Sequence, residues 1–284
     1  MEHQQLIQVI QNLTGVYLTE DKKYLLDTRL NQLMKDYNLK TYDEVALKLL
    51  QNDDKEFYNK LVDKITTHET RFFRDESIFD ALVKQIIPEW MEKNNVNKNQ
   101  ITKKLKIWSI GCSYGQEPYS IAISIKENLS FLFPYTYILA TDISKDVIER
   151  AKRGIFTDFE INRGLPEFLK NKYFEKLDNK EYKLKEEIKS IVEFKVHNLI
   201  NDLYPTGFDI IFCRNVLIYF DTETKKKVIN NLINSFFNQE GTLMLGSAEN
   251  LYNLIDNYIV REYGLARYYE FSKNVTFFRR NNRI

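Results

Sequence analysis

Hydrophobic residues in the first 66 positions recur at the spacing of amphipathic helices. The first apolar stripe contains Leu6, Ile10, Leu13 and Val16, and Gly15 ends that run. A second stripe extends from Leu25 to Tyr37, and a capping-box pattern at Thr41–Glu44 predicts the start of a third helix. A fourth helix is expected from about Asp53 to Ile65. The pattern therefore predicts an all-helical N-terminal domain, which we place at residues 1–70.

The helical period breaks at residues 66–75, where two aromatic residues lie between two arginines. We interpret this segment as an ordered linker, followed by a long helix from Glu76 to Glu92. Beyond a polar loop, short apolar runs alternate with amphipathic segments. Strands are predicted at residues 106–110, 136–142, 191–196, 208–213 and 241–246, with helices at 117–128, 144–152 and 221–237. Together with a closing hairpin at 258–272, this order predicts an α/β fold with a doubly wound parallel sheet and an antiparallel edge.

The alternation of strands and helices stops between residues 155 and 190. This stretch shows a short helix near 166–170 and two alternating strands, Asn171–Leu177 and Tyr182–Glu187. It is therefore predicted to be a small antiparallel insert.

Charge and cysteine content restrict the classes of function. Lysine and arginine number 41 against 40 aspartate and glutamate, which gives no support to a nucleic-acid or membrane-surface partner. The two cysteines, Cys112 and Cys213, lie far apart and outside any C-x-x-C pattern, as in proteins of a reducing compartment. No apolar stretch approaches the roughly 20 residues needed to span a bilayer. We expect a cytoplasmic protein, acting as a monomer, with no membrane insertion.

The stretch Lys106–Ile123 contains a buried strand, two glycines and a helix start, the first half of a nucleotide-binding βαβ unit. Gly111 and Gly115 are four residues apart, so this is not the dinucleotide fingerprint. Glu117 lies in the first turn of the helix, where it would repel a pyrophosphate and suit a cationic ligand. S-adenosylmethionine, which has a sulfonium and an ammonium group, fits this pattern. The alternative is a helix-stabilising glutamate in some other α/β protein.

Polar residues follow three further strands, at the edge where an open α/β sheet binds ligands. Asp142 ends one strand and is a candidate acceptor for ribose hydroxyls, although it could instead cap the next helix. Asn198 follows the next strand, and Arg214 and Asn215 follow another. These three could contact a ligand, or could reflect ordinary turn chemistry. The spacing of cysteines and histidines resembles no zinc pattern, so we predict no metal.

Four stretches are specific enough to identify a family. They are Trp108–Ser120, Ala140–Asp142, Phe208–Phe220 and Gly246–Asn250. With Thr70–Arg74 and the helical N-terminal region, they resemble the chemotaxis-receptor glutamate methyltransferases of the CheR type, over nearly the whole chain. The departures are small: Gln116 replaces an acidic residue, Ser-Ala-Glu-Asn replaces His-Ser-Glu-Asn, and His68 replaces a common Asn.

The resemblance implies a Rossmann-like class I methyltransferase domain over residues 71–284, with the β insert at about 155–190. It also implies S-adenosylmethionine as the methyl donor, with S-adenosylhomocysteine as product. The candidate cofactor contacts are His68, Thr70, Arg74, Gly111, Glu117, Asp142, Asn198, Leu199, Arg214 and Asn215. Arg74 and Tyr219 are implied to lie beside the transferred methyl group.

The expected substrates are glutamate side chains on the cytoplasmic helical domains of chemoreceptors. A glutamate carboxylate, with a reference pKa of about 4.3, needs no general base near pH 7. We expect Lys22 and Arg29 on the second helix to face this acidic partner. Two alternatives stay open: a module that binds the cofactor or receptors without catalysis, and a nucleic-acid methyltransferase, which the balanced charge disfavours.

Overall fold

The computed structural model of the chain describes residues 2–18, 23–51 and 53–272. Four helices form the N-terminal part: α1 (Glu2–Thr14), α2 (Lys23–Asp36), α3 (Tyr42–Gln51) and α4 (Lys55–Ile65). Their apolar faces meet in one core, with Leu6, Ile10, Leu30 and Phe57 among its buried members. The helical prediction for this region is confirmed. Within the described residues, none of the helices is long and apolar enough to cross a membrane.

The predicted long helix after the linker consists of α5 (Ser77–Ala81), a π-helical turn (Leu82–Ile86) and α6 (Ile87–Lys93). The Ile87 N–H donates to the carbonyl of Leu82, five residues earlier, which defines the wide turn. Pro88 follows directly and has no N–H to donate, so the ladder is already interrupted at this point. The hydrophobic period alone did not predict this irregularity.

A seven-stranded sheet forms the centre of the remaining chain. Its strands are β1 (Leu105–Ile110), β2 (Thr136–Asp142), β6 (Val192–Val196), β7 (Ile210–Cys213), β8 (Gly241–Leu245), β9 (Ile259–Tyr263) and β10 (Ala266–Phe271). They are ordered β6-β2-β1-β7-β8-β10-β9, with β10 antiparallel to both of its neighbours and the other pairs parallel. Helices α7 (Gln116–Asn128), α8 (Lys145–Arg153) and α12 (Thr222–Ser235) connect the strands. The predicted doubly wound sheet with an antiparallel edge is confirmed.

The chain order places the switch point of the sheet between β1 and β7. From β1 the chain proceeds outward through β2 to β6, and then returns to the other side of β1 at β7. The carboxyl ends of these four parallel strands meet at one edge, where a crevice forms. Buried apolar residues cover both faces of the sheet, for example Ile107 and Phe212 on one face and Trp108 and Ile211 on the other.

The insert is a separate three-stranded antiparallel sheet of order β3-β5-β4. It contains β3 (Ile155–Thr157), α9 (Asp158–Asn162), α10 (Glu167–Tyr173), β4 (Phe174–Lys176), β5 (Glu181–Leu184) and α11 (Glu186–Lys189). The predicted strand Asn171–Leu177 was partly wrong, because its first three residues belong to α10. The short strand β3 was missed, since three residues are too few to show an alternating pattern and its partner β5 is distant in sequence.

Candidate functional site

Two adjoining cavities open at the carboxyl ends of β1, β2 and β7. The first cavity has about 720 Å³ of empty space. The second has about 750 Å³. Both figures include the open solvent at the mouths of the cavities. Four residues line both cavities: Thr67, Gly111, Asn215 and Tyr219. A ligand that extends across these four residues would therefore occupy the two cavities together.

The turn after β1 forms the floor shared by the two cavities. Gly111 has a φ of +63°, and a Cβ atom at this position would lie 2.5 Å from Val216 Cγ2. Only glycine allows the two loops after β1 and β7 to approach this closely. The turn continues to Gly115, at the start of α7. The glycines in this loop therefore set its shape and its packing.

Asp142, at the end of β2, lines the first cavity and is buried. Its Oδ2 accepts the N–H of Ser113 at 2.9 Å and its Oδ1 accepts the N–H of Ser144 at 3.0 Å. Burial raises the pKa of this carboxyl, and the two backbone donors oppose the shift. The helix-cap alternative can be separated from the ligand role, because Ser144 Oγ caps α8 by accepting the N–H of Val147. Asp142 thus joins the two loops that form the cavity, and its carboxylate retains lone pairs for a ligand.

Arg214 is a buried cation between two carboxylates. Its guanidinium donates to Glu117 Oε2 at 2.9 Å and to Asp75 Oδ2 at 2.5 Å, and Glu117 also accepts the Ser109 hydroxyl at 2.8 Å. Burial raises the pKa of Glu117, whereas the Arg214 charge lowers it. Glu117 is therefore paired with a buried cation, a contact that the sequence did not indicate. The set of three still carries one net negative charge when both carboxyl groups are ionised, and Glu117 and Arg214 line the second cavity.

The donor and acceptor groups of the second cavity fit the methionine part of S-adenosylmethionine. Arg214 Nε is buried and has no hydrogen-bond partner among the described residues. An N–H donor of this kind suits a carboxylate, while the Glu117 carboxylate on the same cavity suits an ammonium or sulfonium group. The predicted cofactor carries all three groups, so these residues fit it.

His197 lines the first cavity, next to the predicted cofactor residue Leu199. Its ring is in edge contact with Trp108 and Tyr204, and Nδ1 lies 3.7 Å from Asp202 Oδ2. Nε2 is buried, and no described residue is hydrogen-bonded to it. Burial lowers the pKa of His197, which favours the neutral ring. Its place at a strand end was a sequence signal, but His197 was not predicted as a site residue.

Asn198 was predicted to contact the cofactor, but its side chain lies outside both cavities. Nδ2 donates to the carbonyl of Leu13 at 2.6 Å, and Oδ1 accepts the N–H of Ile200 at 2.8 Å. The residue thus joins the carboxyl end of β6 to the last turn of α1. In this structure the side chain of Asn198 connects the helical part to the sheet.

The N-terminal helices form one wall of the first cavity, a contribution that the sequence did not indicate. The residues from this side are Thr14, Val16, Ile65, Thr66 and Thr67. Gly15 follows α1 directly and has a φ of +77°. Because it has no Cβ atom, the side chains of Ile200 and Phe220 can pack closely against it. The position of Gly15 at the end of a helical run was visible in the sequence, but its packing partners were not.

The linker supplies the remaining predicted residues. His68 lines the first cavity, and Thr70 and Arg74 line the second. His68 Nε2 lies 3.3 Å from Asp63 Oδ1, and the backbone carbonyl of His68 accepts the Ser113 hydroxyl at 2.9 Å. The half-buried Arg74 lies on the same cavity as Tyr219. The structure therefore brings Arg74 and Tyr219 to one place.

Lys22 and Arg29 are the two predicted substrate-binding residues of the N-terminal part. Lys22 lies outside the described residues. Arg29 is partly buried, and its Nη1 donates to the carbonyl of Ile65 at 2.8 Å, at the end of α4. This bond gives Arg29 a role in holding two helices together.

The two cysteines are free thiols inside the protein. Cys112 and Cys213 are buried, and burial raises the pKa of both thiols well above its ordinary value. Across the described ranges, no group of three or more His, Cys, Asp or Glu residues could hold a metal ion.

Comparison with known proteins identifies the family. Residues 1–66 match the model "CheR methyltransferase, all-alpha domain", and residues 68–263 match "CheR methyltransferase, SAM binding domain". A chemotaxis protein methyltransferase of Borreliella burgdorferi is 37% identical over 254 residues, covering 88% of each chain. The Cher2 chemotaxis methyltransferase of Pseudomonas putida is 35% identical over 263 residues, covering 91% of this chain and 93% of its own. The chain therefore belongs to the CheR family of chemotaxis protein methyltransferases and uses S-adenosylmethionine as its methyl donor.

Proposed function

We propose that this enzyme methylates glutamate side chains on the cytoplasmic helices of chemoreceptors, forming methyl esters. The observation that carries the proposal is the composition of the second cavity, where Arg74 and Tyr219 lie with the Arg214 and Glu117 pair. A cation and a hydroxyl suit an anionic acceptor such as a carboxylate. The family assignment supports receptors as the source of that carboxylate.

A carboxylate acceptor needs no general base, and no histidine of the described residues lines the second cavity. Glutamate is ionised near pH 7, whereas a lysine would first have to lose a proton. His68 and His197 both line the first cavity, and neither lines the second, where Arg74 and Tyr219 lie together. We therefore assign catalysis to positioning and exclusion of water.

S-adenosylmethionine, when bound, supplies an electrophilic methyl group on a positively charged sulfur. We assign Asp142, Leu199 and His68 to the nucleoside side in the first cavity. Glu117, Arg214 and Thr70 are assigned to the amino-acid side in the second. Gly111 and Asn215 lie between them, on both cavities. Arg74 and Tyr219 orient the acceptor carboxylate by hydrogen bonding, without protonating it.

We further propose a division of labour between residues 1–70 and residues 71–284. The first segment would recognise the receptor, with Lys22 and Arg29 facing acidic receptor helices, and the second would carry out methyl transfer. The exposed basic residue Lys35 in the last turn of α2 supports an electrostatic contribution there. We propose that the enzyme acts as a monomer in the cytoplasm, where the signalling helices of receptors are found.

Incubation with radiolabelled S-adenosylmethionine and receptor cytoplasmic fragments, followed by alkali, tests the acceptor. Methyl esters release methanol in base, whereas N-methyl groups do not. We expect base-labile label in the receptor and none when its glutamates are replaced by alanine. Base-stable label would point to a nitrogen acceptor. Cofactor binding without transfer to any fragment would support the alternative of a binding module.

A further inference from the structure

The loop after β8, residues 246–250, contacts the site from outside the two cavities. Its Glu249 accepts three backbone N–H groups. Oε2 accepts from Asn215 at 2.7 Å and from Gly246 at 2.8 Å, and Oε1 accepts from Ile218 at 3.2 Å. Two of these three donors belong to the loop after β7, which carries Asn215 and Tyr219. One carboxylate thus connects the loops after β7 and β8.

The two amides in the β7 loop belong to backbone conformations that need support. Asn215 has a φ of +58°, in the sparsely populated left-handed region, which asparagine adopts more readily than other non-glycine residues. Ile218 lies in the 3₁₀ turn Leu217–Tyr219, and the first N–H groups of such a turn have no partner within it. Glu249 supplies the missing acceptor to both.

The close approach of the two loops is built into Gly246. A Cβ atom there would lie 2.8 Å from Asn215 Nδ2 and 2.8 Å from Glu249 Oε2. Any other residue would crowd the Glu249 carboxylate and the Asn215 backbone nitrogen, which would lie 3.0 Å from the added Cβ. Gly246 and Glu249 therefore both act on the contact between the β8 loop and Asn215.

We infer that Glu249 is a positioning residue of the methyltransferase site, with a separate oxygen for each half of the site. Oε2 fixes Asn215, which lines both cavities. Oε1 fixes the turn that presents Tyr219 to the acceptor. The Tyr219 half of the inference rests on the proposed function, whereas the Asn215 half rests on cofactor binding alone.

The variant Glu249→Gln separates the two oxygens. The amide oxygen retains the two shorter bonds, to Asn215 and Gly246, and the amide nitrogen then opposes the N–H of Ile218. The isosteric variant should therefore bind S-adenosylhomocysteine within about twofold of wild type by calorimetry. Its kcat on receptor fragments should fall about tenfold, as expected for the loss of one hydrogen bond to a charged group.

Glu249→Ala removes both oxygens and should weaken S-adenosylhomocysteine binding about tenfold as well as lowering kcat. Amide hydrogen exchange provides a readout that does not depend on activity. The Ile218 amide should exchange faster in both variants, and the Asn215 amide only in Glu249→Ala. Glu223→Gln is the matched control, because Glu223 is exposed on α12 and pairs with Lys226. It should leave all three readouts unchanged.

Equal effects of Glu249→Gln and Glu249→Ala on cofactor affinity and kcat would overturn the inference, as would wild-type behaviour of both. If Glu249→Ala fails to fold, Glu249→Gln still decides the question through the exchange of Ile218 relative to Asn215. If wild type methylates no receptor fragment, the proposed acceptor is wrong. The cofactor and exchange measurements then still test Glu249.

Discussion

The two walls of the first cavity differ in origin. One wall consists of strand ends and carries Gly111, Asp142 and Asn215, whose positions follow from the order of the parallel strands. The other wall consists of Thr14, Val16 and residues 65–67, which the packing of the N-terminal helices places there. Both parts of the chain therefore line the cavity that we propose holds the nucleoside side of the cofactor. In this proposal residues 1–70 contribute to cofactor binding in addition to receptor recognition.

Hydrogen bonds connect the wall formed by the N-terminal helices to the wall formed by the strand ends, close to Tyr219. Asn198 Nδ2 donates to the Leu13 carbonyl at 2.6 Å, and the N–H of Tyr17 donates to the Tyr219 carbonyl at 2.8 Å. Gln11 Nε2 donates to Asp221 Oδ2 at 2.5 Å, just beyond the Tyr219 turn. A displacement of α1 would therefore also displace the backbone of Tyr219.

Gly15→Ala should have the largest effect. The left-handed φ of +77° costs about 1–2 kcal/mol for a non-glycine residue. The added Cβ would lie 2.6 Å from Ile200 Cδ1 and 2.8 Å from Phe220 Cε1, and such overpacking costs about 1–3 kcal/mol more. We expect the free energy of unfolding to fall by about 2–5 kcal/mol in urea titrations. Affinity for S-adenosylhomocysteine should also fall, because the helical wall is displaced.

Gly264→Ala is the matched control for this change. Gly264 has a φ of +58°, but a Cβ there would meet no atom of the described residues within 4 Å. It should therefore lose only the backbone contribution and retain cofactor affinity. Equal losses in the two variants would show that the contact of Gly15 with Ile200 and Phe220 has no energetic role.

Asp142→Ala should have the second largest effect, on the strand-end wall. Removal of the carboxylate leaves the buried N–H groups of Ser113 and Ser144 without their acceptor and removes the proposed ribose contact. Affinity for S-adenosylhomocysteine should fall tenfold or more by calorimetry, and stability should fall by about 1–3 kcal/mol in total, because solvent in the open cavity can replace part of the lost acceptor. An unchanged dissociation constant would remove Asp142 from the cofactor site.

The contrast between the walls also explains what the sequence could predict. Asp142, Arg214 and Asn215 follow apolar runs, so the topology of a parallel sheet places them at one edge. His197 and Asn198 follow the same strand, yet only the fold shows that His197 turns to the cavity and Asn198 to α1. The Arg214 ion pairs with Glu117 and Asp75 join residues far apart in sequence. Local patterns carry no signal for such contacts, or for the packing of Gly15.

Tyr219→Phe and Arg74→Ala should separate the acceptor side from the cofactor side. Tyr219→Phe removes only a hydroxyl from the second cavity, so kcat should fall several-fold while the dissociation constant for S-adenosylhomocysteine stays near that of wild type. Arg74→Ala should reduce both, because Arg74 is proposed to contact cofactor and acceptor. Steady-state kinetics at saturating receptor fragment provide the test. Full turnover by Tyr219→Phe would rule out the proposed orienting role of the hydroxyl.

The smallest expected effect concerns the pH dependence of stability and arises from His197 on the strand-end side. Burial lowers the pKa of His197 in the folded protein, and the nearby Asp202 carboxylate only partly opposes this. The unfolded chain, with a histidine pKa near 6.5, therefore takes up a proton at higher pH than the folded protein does. The stability of wild type should thus fall as the pH decreases below about 6.5, down to the folded-state pKa.

His197→Gln removes this titration, so the difference in unfolding free energy between variant and wild type should change across that pH window. His3 and His68 are present in both proteins and cancel in the difference. Urea titrations between about pH 5 and pH 8 measure the effect on both sides of the reference histidine pKa of about 6.5. If the difference is the same at every pH, His197 is not buried in the neutral form. A pH-dependent difference that changes when S-adenosylhomocysteine binds would show that the ligand alters the environment of His197.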